Sequence, residues 1–281
     1  MMNSAEWVLK AILNRYPASA REGLERYLPP SEKERLDAMP SAQVETDVEE
    51  PALLDRIHWS WILPELEPFS SREQKLLIAS LPEHSRENLC RELKIKPAPN
   101  EEESRIALEF GAEVLIAALA GDPVKILPVY FLPPSPLSSL LRLDKQKLVE
   151  LIDTLSLIDL AAELRQIVET KILKKIYSFI SEEEKKALKK AAAMKQTAPA
   201  ARLHLEKWDG TEKQLRLLLH KRGLARLGAA LSGQHSDLVW YVCHQLDIGR
   251  GKALAKMTRS EPGSALDAIV SQIETVLKDF L

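Results

Sequence analysis

The stretch from Gly210 to Gly251, GTEKQLRLLLHKRGLARLGAALSGQHSDLVWYVCHQLDIGRG, constrains the fold most, because it reads as two amphipathic helices joined by a short turn. Thr211 followed three places later by Gln214 is a capping-box pattern, in which side chains satisfy the amides left without partners at a helix start. Leu217, Leu224, Leu227 and Leu231 then recur at spacings of seven, three and four, which sets them on one face of a 3.6-residue period. Gly233 is the expected stop, since glycine enters the left-handed cap without strain. Ser236 is expected to cap the second helix, with Asp237 near the positive end of its dipole and Leu238, Val239, Val242, Cys243 and Leu246 as its stripe. Gly249 is expected to end it. The hairpin is a packing unit, and it predicts that Leu227, Leu231, Val242 and Leu246 meet inside it.

The same signals recur along the chain. Ser71 with Gln74, Asn100 with Glu103 and Ser181 with Glu184 each announce a helix, the second of them running to about Ala120. Few glycines and abundant Leu, Ala, Glu and Lys favour helix, and no long alternating β-branched run is present. The expected fold is therefore all-α, built of stacked helical hairpins, with no substantial β-sheet. The string SLPEHSRENLCREL parallels ALSGQHSDLVWYVCHQL in order: leucine, short turn, His-Ser, amphipathic helix. Ser85 is expected to cap as Ser236 does, which makes the pair a divergent two-helix repeat.

Prolines and charge divide the chain. Helices over 6–14 and 18–28 are separated by Pro17, and a third spans 31–38. Residues 39–51 are acidic, bounded by prolines and nearly devoid of large apolar side chains, as in a solvated linker. The regions expected are 1–50, with short helices and the linker; 51–135, ending in a proline-rich crossover; and 136–281, a helical C-terminal domain. The crossover DPVKILPVYFLPPSP forbids regular structure yet carries Val124, Ile126, Leu127, Tyr130, Phe131 and Leu132, which need cover from their own domain or from a partner. From Asp144 onward one stripe holds Leu148, Leu151, Ile152 and Leu155, and a longer one runs from Leu160 to Ile180.

Most chemistry is excluded by what is missing. Cys90 and Cys243 sit on apolar helix faces and read as core thiols, without the spacing of a metal site. The six histidines form no H-x-x-x-H pair, and Gly249-Arg250-Gly251-Lys252 lacks the upstream glycine and following Ser or Thr of a phosphate loop. No two carboxylates share an apolar setting that would raise one pKa for acid catalysis. No enzyme activity, cofactor, metal or small-molecule substrate is expected. Neither a basic start with an apolar run nor a bilayer-length apolar helix occurs, so no signal peptide or membrane insertion is expected. Residues 171–259 carry nineteen Lys and Arg against eight Asp and Glu in a chain of formal net charge −2. That polarity suits nucleic acid, an acidic protein or the opposite end of the molecule.

Two pairs of aromatics remain. Trp240 and Tyr241 flank the Leu238/Val242/Leu246 stripe, so either that helix is buried on more than one face or its flank is a contact surface. Trp59 and Trp61, with His58 and Leu63 beside them and Pro64 following, are core or a pre-organised surface patch. The string IHWSWILPEL followed by a leucine-rich helix resembles the start of the sorting-platform accessory proteins of type III secretion systems, the YscK/SctK family. The Gly-Leu-Ala-Arg-Leu-Gly-Ala-Ala-Leu pattern, then a helix ending in His-Gln-Leu, is similar to that family's repeat unit and to the helical repeats of a flagellar motor-switch protein. The resemblance implies a non-enzymatic adaptor in the bacterial cytoplasm, linking the cytoplasmic domain of the inner-membrane ring protein to the pod protein of the sorting platform. It implies peripheral placement at the inner membrane, with His58, Trp59, Trp61, Leu63, Trp240 and Tyr241 as partner-binding residues. The alternative is a basic helical-repeat protein that binds nucleic acid.

Overall fold

The computed structural model describes residues 4–15, 17–39, 53–95, 104–121, 126–167, 169–193, 202–205, 208–258 and 265–281. Among them are fourteen α-helices, short 3₁₀ turns and no strand, so the fold is all-α. The chain forms two compact units, one of residues 1–135 with 235–241 and the other of 136–234 with 242–281.

The first unit holds α1 (Ser4–Arg15), α2 (Ala18–Glu25), α3 (Pro30–Ala38), α4 (Ile62–Glu65), α5 (Ser71–Ala79), α6 (Glu83–Leu93) and α7 (Arg105–Ala120). Leu13, Leu36 and Met39 make a small satellite core under α1 and α3. Buried Lys10 donates its Nζ to the Leu36 carbonyl at 2.6 Å, so its charge is held by a backbone acceptor. The main core is built from Leu54, Ile57, Ile62, Leu66, Leu77, Ile78, Leu81, Leu89, Cys90 and Leu115. Most of these elements are shorter than three turns and draw their stability from that shared core.

Several helix starts lie one to four residues from where the sequence puts them. The box that opens α5 is Ser70 with Glu73, not Ser71 with Gln74: the Ser70 N–H donates to the Glu73 carboxylate at 2.8 Å. Gln74 instead donates to the carbonyls of Leu66 and Phe69, 3.0 Å each, which ties down the preceding turn. Ser85 does not cap α6; it lies in the first turn, fully buried, with its Oγ 3.1 Å from His84 Nε2. Ser104 caps α7 by accepting from Ala107 N–H at 3.2 Å, while Asn100 and Glu103 lie outside the described residues, as do 40–52 of the expected linker. The crossover packs on its own unit. Leu127 is buried, its N–H donates to Asp237 and its carbonyl accepts from the Tyr241 hydroxyl, 3.0 Å in each case. The 3₁₀ turn Val129–Phe131 lies against α1, and Val124 is outside the described residues.

The second unit is organised by two helices of twenty residues, α8 (Lys145–Leu164) and α11 (Glu212–Leu231), which lie against each other. Around them are α9 (Thr170–Phe179), α10 (Glu182–Ala193), α13 (Ile248–Met257) and α14 (Leu266–Leu277). The helix α12 (Ser236–Gln245) gives its residues up to Tyr241 to the first unit and the rest to the second. At Gly223 α8 and α11 approach closely: a Cβ there would run into the Ile152 carbonyl oxygen. The long stripe expected from Leu160 to Ile180 is broken, because α8 ends at Leu164 and α9 starts at Thr170.

Thr211 and Ser181 cap as expected. The Thr211 hydroxyl accepts from Gln214 N–H at 3.3 Å, and the Ser181 and Glu184 pair closes both halves of its box at 2.7 and 3.1 Å. The expected hairpin is corrected, since α11 takes α8, α13 and α14 as its principal partners rather than α12. Leu224, Leu227, Leu231, Val242 and Leu246 are all buried, but Leu217 is 52 % exposed. Gly233 follows α11 without a left-handed backbone, and a Cβ there would meet the end of the Leu266 side chain, which would have to shift. Gly249 does not end α12. Asp247 caps a new helix, accepting from Arg250 N–H at 3.2 Å, and both Gly249 and Gly251 lie within it.

A buried ion cluster joins three helices of this unit. Asp159 of α8, with no exposed surface, accepts from Arg226 and Arg222 of α11 at 2.5 Å each, and Arg226 also donates to Gln272 of α14. No helix of the described residues is long and apolar enough to cross a membrane.

Candidate partner-binding surface

His58 starts the site. Its Nδ1 accepts from the Ser60 backbone N–H at 3.2 Å and lies 2.8 Å from the Ser60 hydroxyl, which caps the 3₁₀ turn Trp59–Trp61. The next residues form α4, with Pro64 inside its single turn. Two full commitments to the core, Ile57 and Ile62, bracket this string, so His58, Trp59 and Trp61 are held at its edge without being enclosed. Each is half-buried. Trp59, Trp61 and Leu63 pack against the main core of the first unit, and the His58 ring lies 5.3 Å from that of Trp59.

Trp240 reaches the same core from α12, far away in sequence, and it too is half-buried. Four large apolar side chains from two distant segments thus rim one core. Tyr241 does not join them as a contact residue. It is 3 % exposed, stands edge-on to Trp240 and spends its hydroxyl on the Leu127 carbonyl, so it leaves a partner nothing to touch. The two flanks of α12 therefore differ: Tyr241 is buried, while Trp240 stays partly exposed.

Exposed apolar side chains that the sequence reading passed over lie on α7. Ile106 is 78 % and Phe110 66 % exposed, one turn apart. The available signal was composition, since α7 is apolar around most of its circumference while it buries only Gly111 and Leu115.

The thiols are not poised for chemistry. Burial pushes the Cys243 pKa up to about 12 and also raises that of Cys90, which disfavours the nucleophilic thiolate. Among the described residues no group of three or more His, Cys, Asp or Glu is placed to hold a metal ion. Of the lysines on α9 and α10, Lys185 pairs with Glu182 at 2.6 Å, Lys190 pairs with Asp279 at 2.5 Å, and Lys175 lies over the Trp208 ring. Lys171, Lys174, Lys186 and Lys189 are exposed.

Comparison with protein-family models, with curated proteins and with solved structures found no match to the chain.

Proposed function

We propose that the chain is a non-enzymatic cytoplasmic adaptor of a bacterial type III secretion sorting platform. On this reading it joins the cytoplasmic domain of the inner-membrane ring protein to the pod protein, peripherally at the inner membrane. The identity of the partners rests on the resemblance of IHWSWILPEL and of the Gly-Leu-Ala-Arg-Leu-Gly-Ala-Ala-Leu pattern to the YscK/SctK family. One observation carries the adaptor role: Trp59, Trp61, Leu63 and Trp240 are half-buried around a single core. Side chains fixed on one side by packing lose little entropy when a partner covers the other, and tryptophan is enriched among residues that anchor interfaces.

The exposed lysines of α9 and α10 favour a second reading, a protein that binds nucleic acid through phosphates. Two measurements separate the readings. Co-purification of the full chain with the ring domain and with the pod protein should succeed, and retention on heparin should be weak. Tight heparin or DNA binding that falls steeply with salt, together with failure to associate with either protein, would replace the adaptor by the nucleic-acid reading.

A further inference from the structure

The second unit contains a cavity of about 250 Å³ between α8, α10 and α14. Ile158, Ala187, Ala191 and Val276 give it apolar walls, and Ile158 and Val276 are buried. Its rim is charged. Lys190 is held by Asp279 at 2.5 and 2.7 Å, whereas Lys186 is exposed and forms none of the ion pairs among the described residues. The lining thus holds two lysines against one aspartate above an apolar interior, with Glu182 acting on Lys186 from outside the rim.

We propose that this cavity binds a medium-chain alkyl carboxylate, with the chain inside and the carboxylate at Lys186 and Lys190. Size is the first argument. An apolar cavity of about 150 Å³ holds benzene, so this one has room for roughly ten carbon atoms. A single leucine inserted by a partner protein would leave much of it empty, and unfilled apolar volume is unfavourable. Charge is the second argument, because the rim after pairing matches a single negative charge. The Lys190–Asp279 pair is half exposed on both sides, and such pairs contribute little, so Lys190 is free to turn from Asp279 to a ligand. The site is separate from the tryptophan rim and does not depend on the adaptor reading.

The test is titration of the full chain with decanoate below its micelle concentration, followed by calorimetry and by NMR of carboxyl-labelled decanoate. Binding should saturate at one molecule per chain and strengthen about fourfold per added methylene up to about ten carbons. Lys186→Gln should weaken decanoate about fivefold while leaving decanol unchanged. Asp279→Asn frees Lys190 and should tighten decanoate. Ala191→Leu fills the cavity, so it should abolish binding of both ligands with an unchanged or raised melting temperature. Ala187→Leu serves the same purpose should Ala191→Leu prove unstable. Binding that does not saturate, equal affinity for decanoate and decanol, or full binding by a folded cavity-filling variant would each overturn the proposal.

Discussion

In the first unit ten core residues are contributed by short helices and turns, and the core is edged by tryptophans that are half-buried. In the second unit α11 is enclosed so completely over its C-terminal half that Arg226 is buried with Leu227, Gly228, Ala230 and Leu231. Both units leave large apolar side chains partly in solvent, Trp59, Trp61 and Trp240 in the first and Leu164, Phe179 and Trp208 in the second, but only the second has drawn an Arg–Asp ion pair inside. Half-exposed apolar side chains are ordinary on a folded surface, and only a contiguous patch of them marks a place where another molecule fits. A buried ion pair ties helices in one arrangement, and its net contribution to stability is small or negative. What sets the second unit apart is the buried ion cluster of Asp159, Arg222 and Arg226, which ties α8 to α11 in one register.

The largest expected effect breaks that register. Asp159→Ala leaves Arg226 buried without its carboxylate and should cost about 3–5 kcal/mol. Replacing both partners, Asp159→Leu with Arg226→Met, should cost much less, as read by urea unfolding. A small loss for Asp159→Ala alone would mean that water reaches this cluster and that the second unit is not closed.

Leu231→Ala should cost about 2–5 kcal/mol, because Leu231 is fully buried. A loss below about half a kcal/mol would place this face outside the core. A smaller effect belongs to the first unit. Tyr241→Phe removes the hydrogen bond to Leu127 and should cost about 1 kcal/mol, with no change in partner association. Loss of association without loss of stability would return Tyr241 to the contact surface.

The smallest effect concerns pH. Burial raises the Asp247 pKa, but the Arg250 hydrogen bonds and charge, with Lys145 behind them, outweigh it and hold the carboxyl below its usual range. A folded-state pKa below the unfolded value contributes stability above about pH 4, and the contribution is lost as pH falls through the folded value. Asp247→Asn should therefore be less stable at neutral pH, and the gap to the parent should close below about pH 4. A gap independent of pH would mean that the charge is not involved.

The sequence was most legible within a single helix end. Thr211 and Ser181 cap as their spacing predicts, since a cap involves residues three apart. Ser70 took the place of Ser71 because an ionised Glu73 accepts better than Gln74, and spacing alone does not rank two adjacent serines. Leu217 keeps helical spacing with Leu224 and Leu231 yet is exposed, because periodicity gives the face of a helix and not what covers it. Asp159 and Arg226 are 67 residues apart, and no local pattern links them. The tryptophans at 59 and 61 stood out as a possible patch, but the arrival of Trp240 at the same core is a fact of tertiary structure alone.

The most direct measurement compares Trp61→Ala with the parent chain in thermal unfolding and in association with the cytoplasmic domain of the inner-membrane ring. A fully buried tryptophan would cost about 3–5 kcal/mol on truncation. This half-buried rim residue should lose less than about 2 kcal/mol, because only part of the ring leaves contact with the core. The variant should remain folded while association falls by about thirtyfold or more, the scale of an interface anchor. Unchanged association, or a loss of stability large enough to unfold the chain, would contradict it.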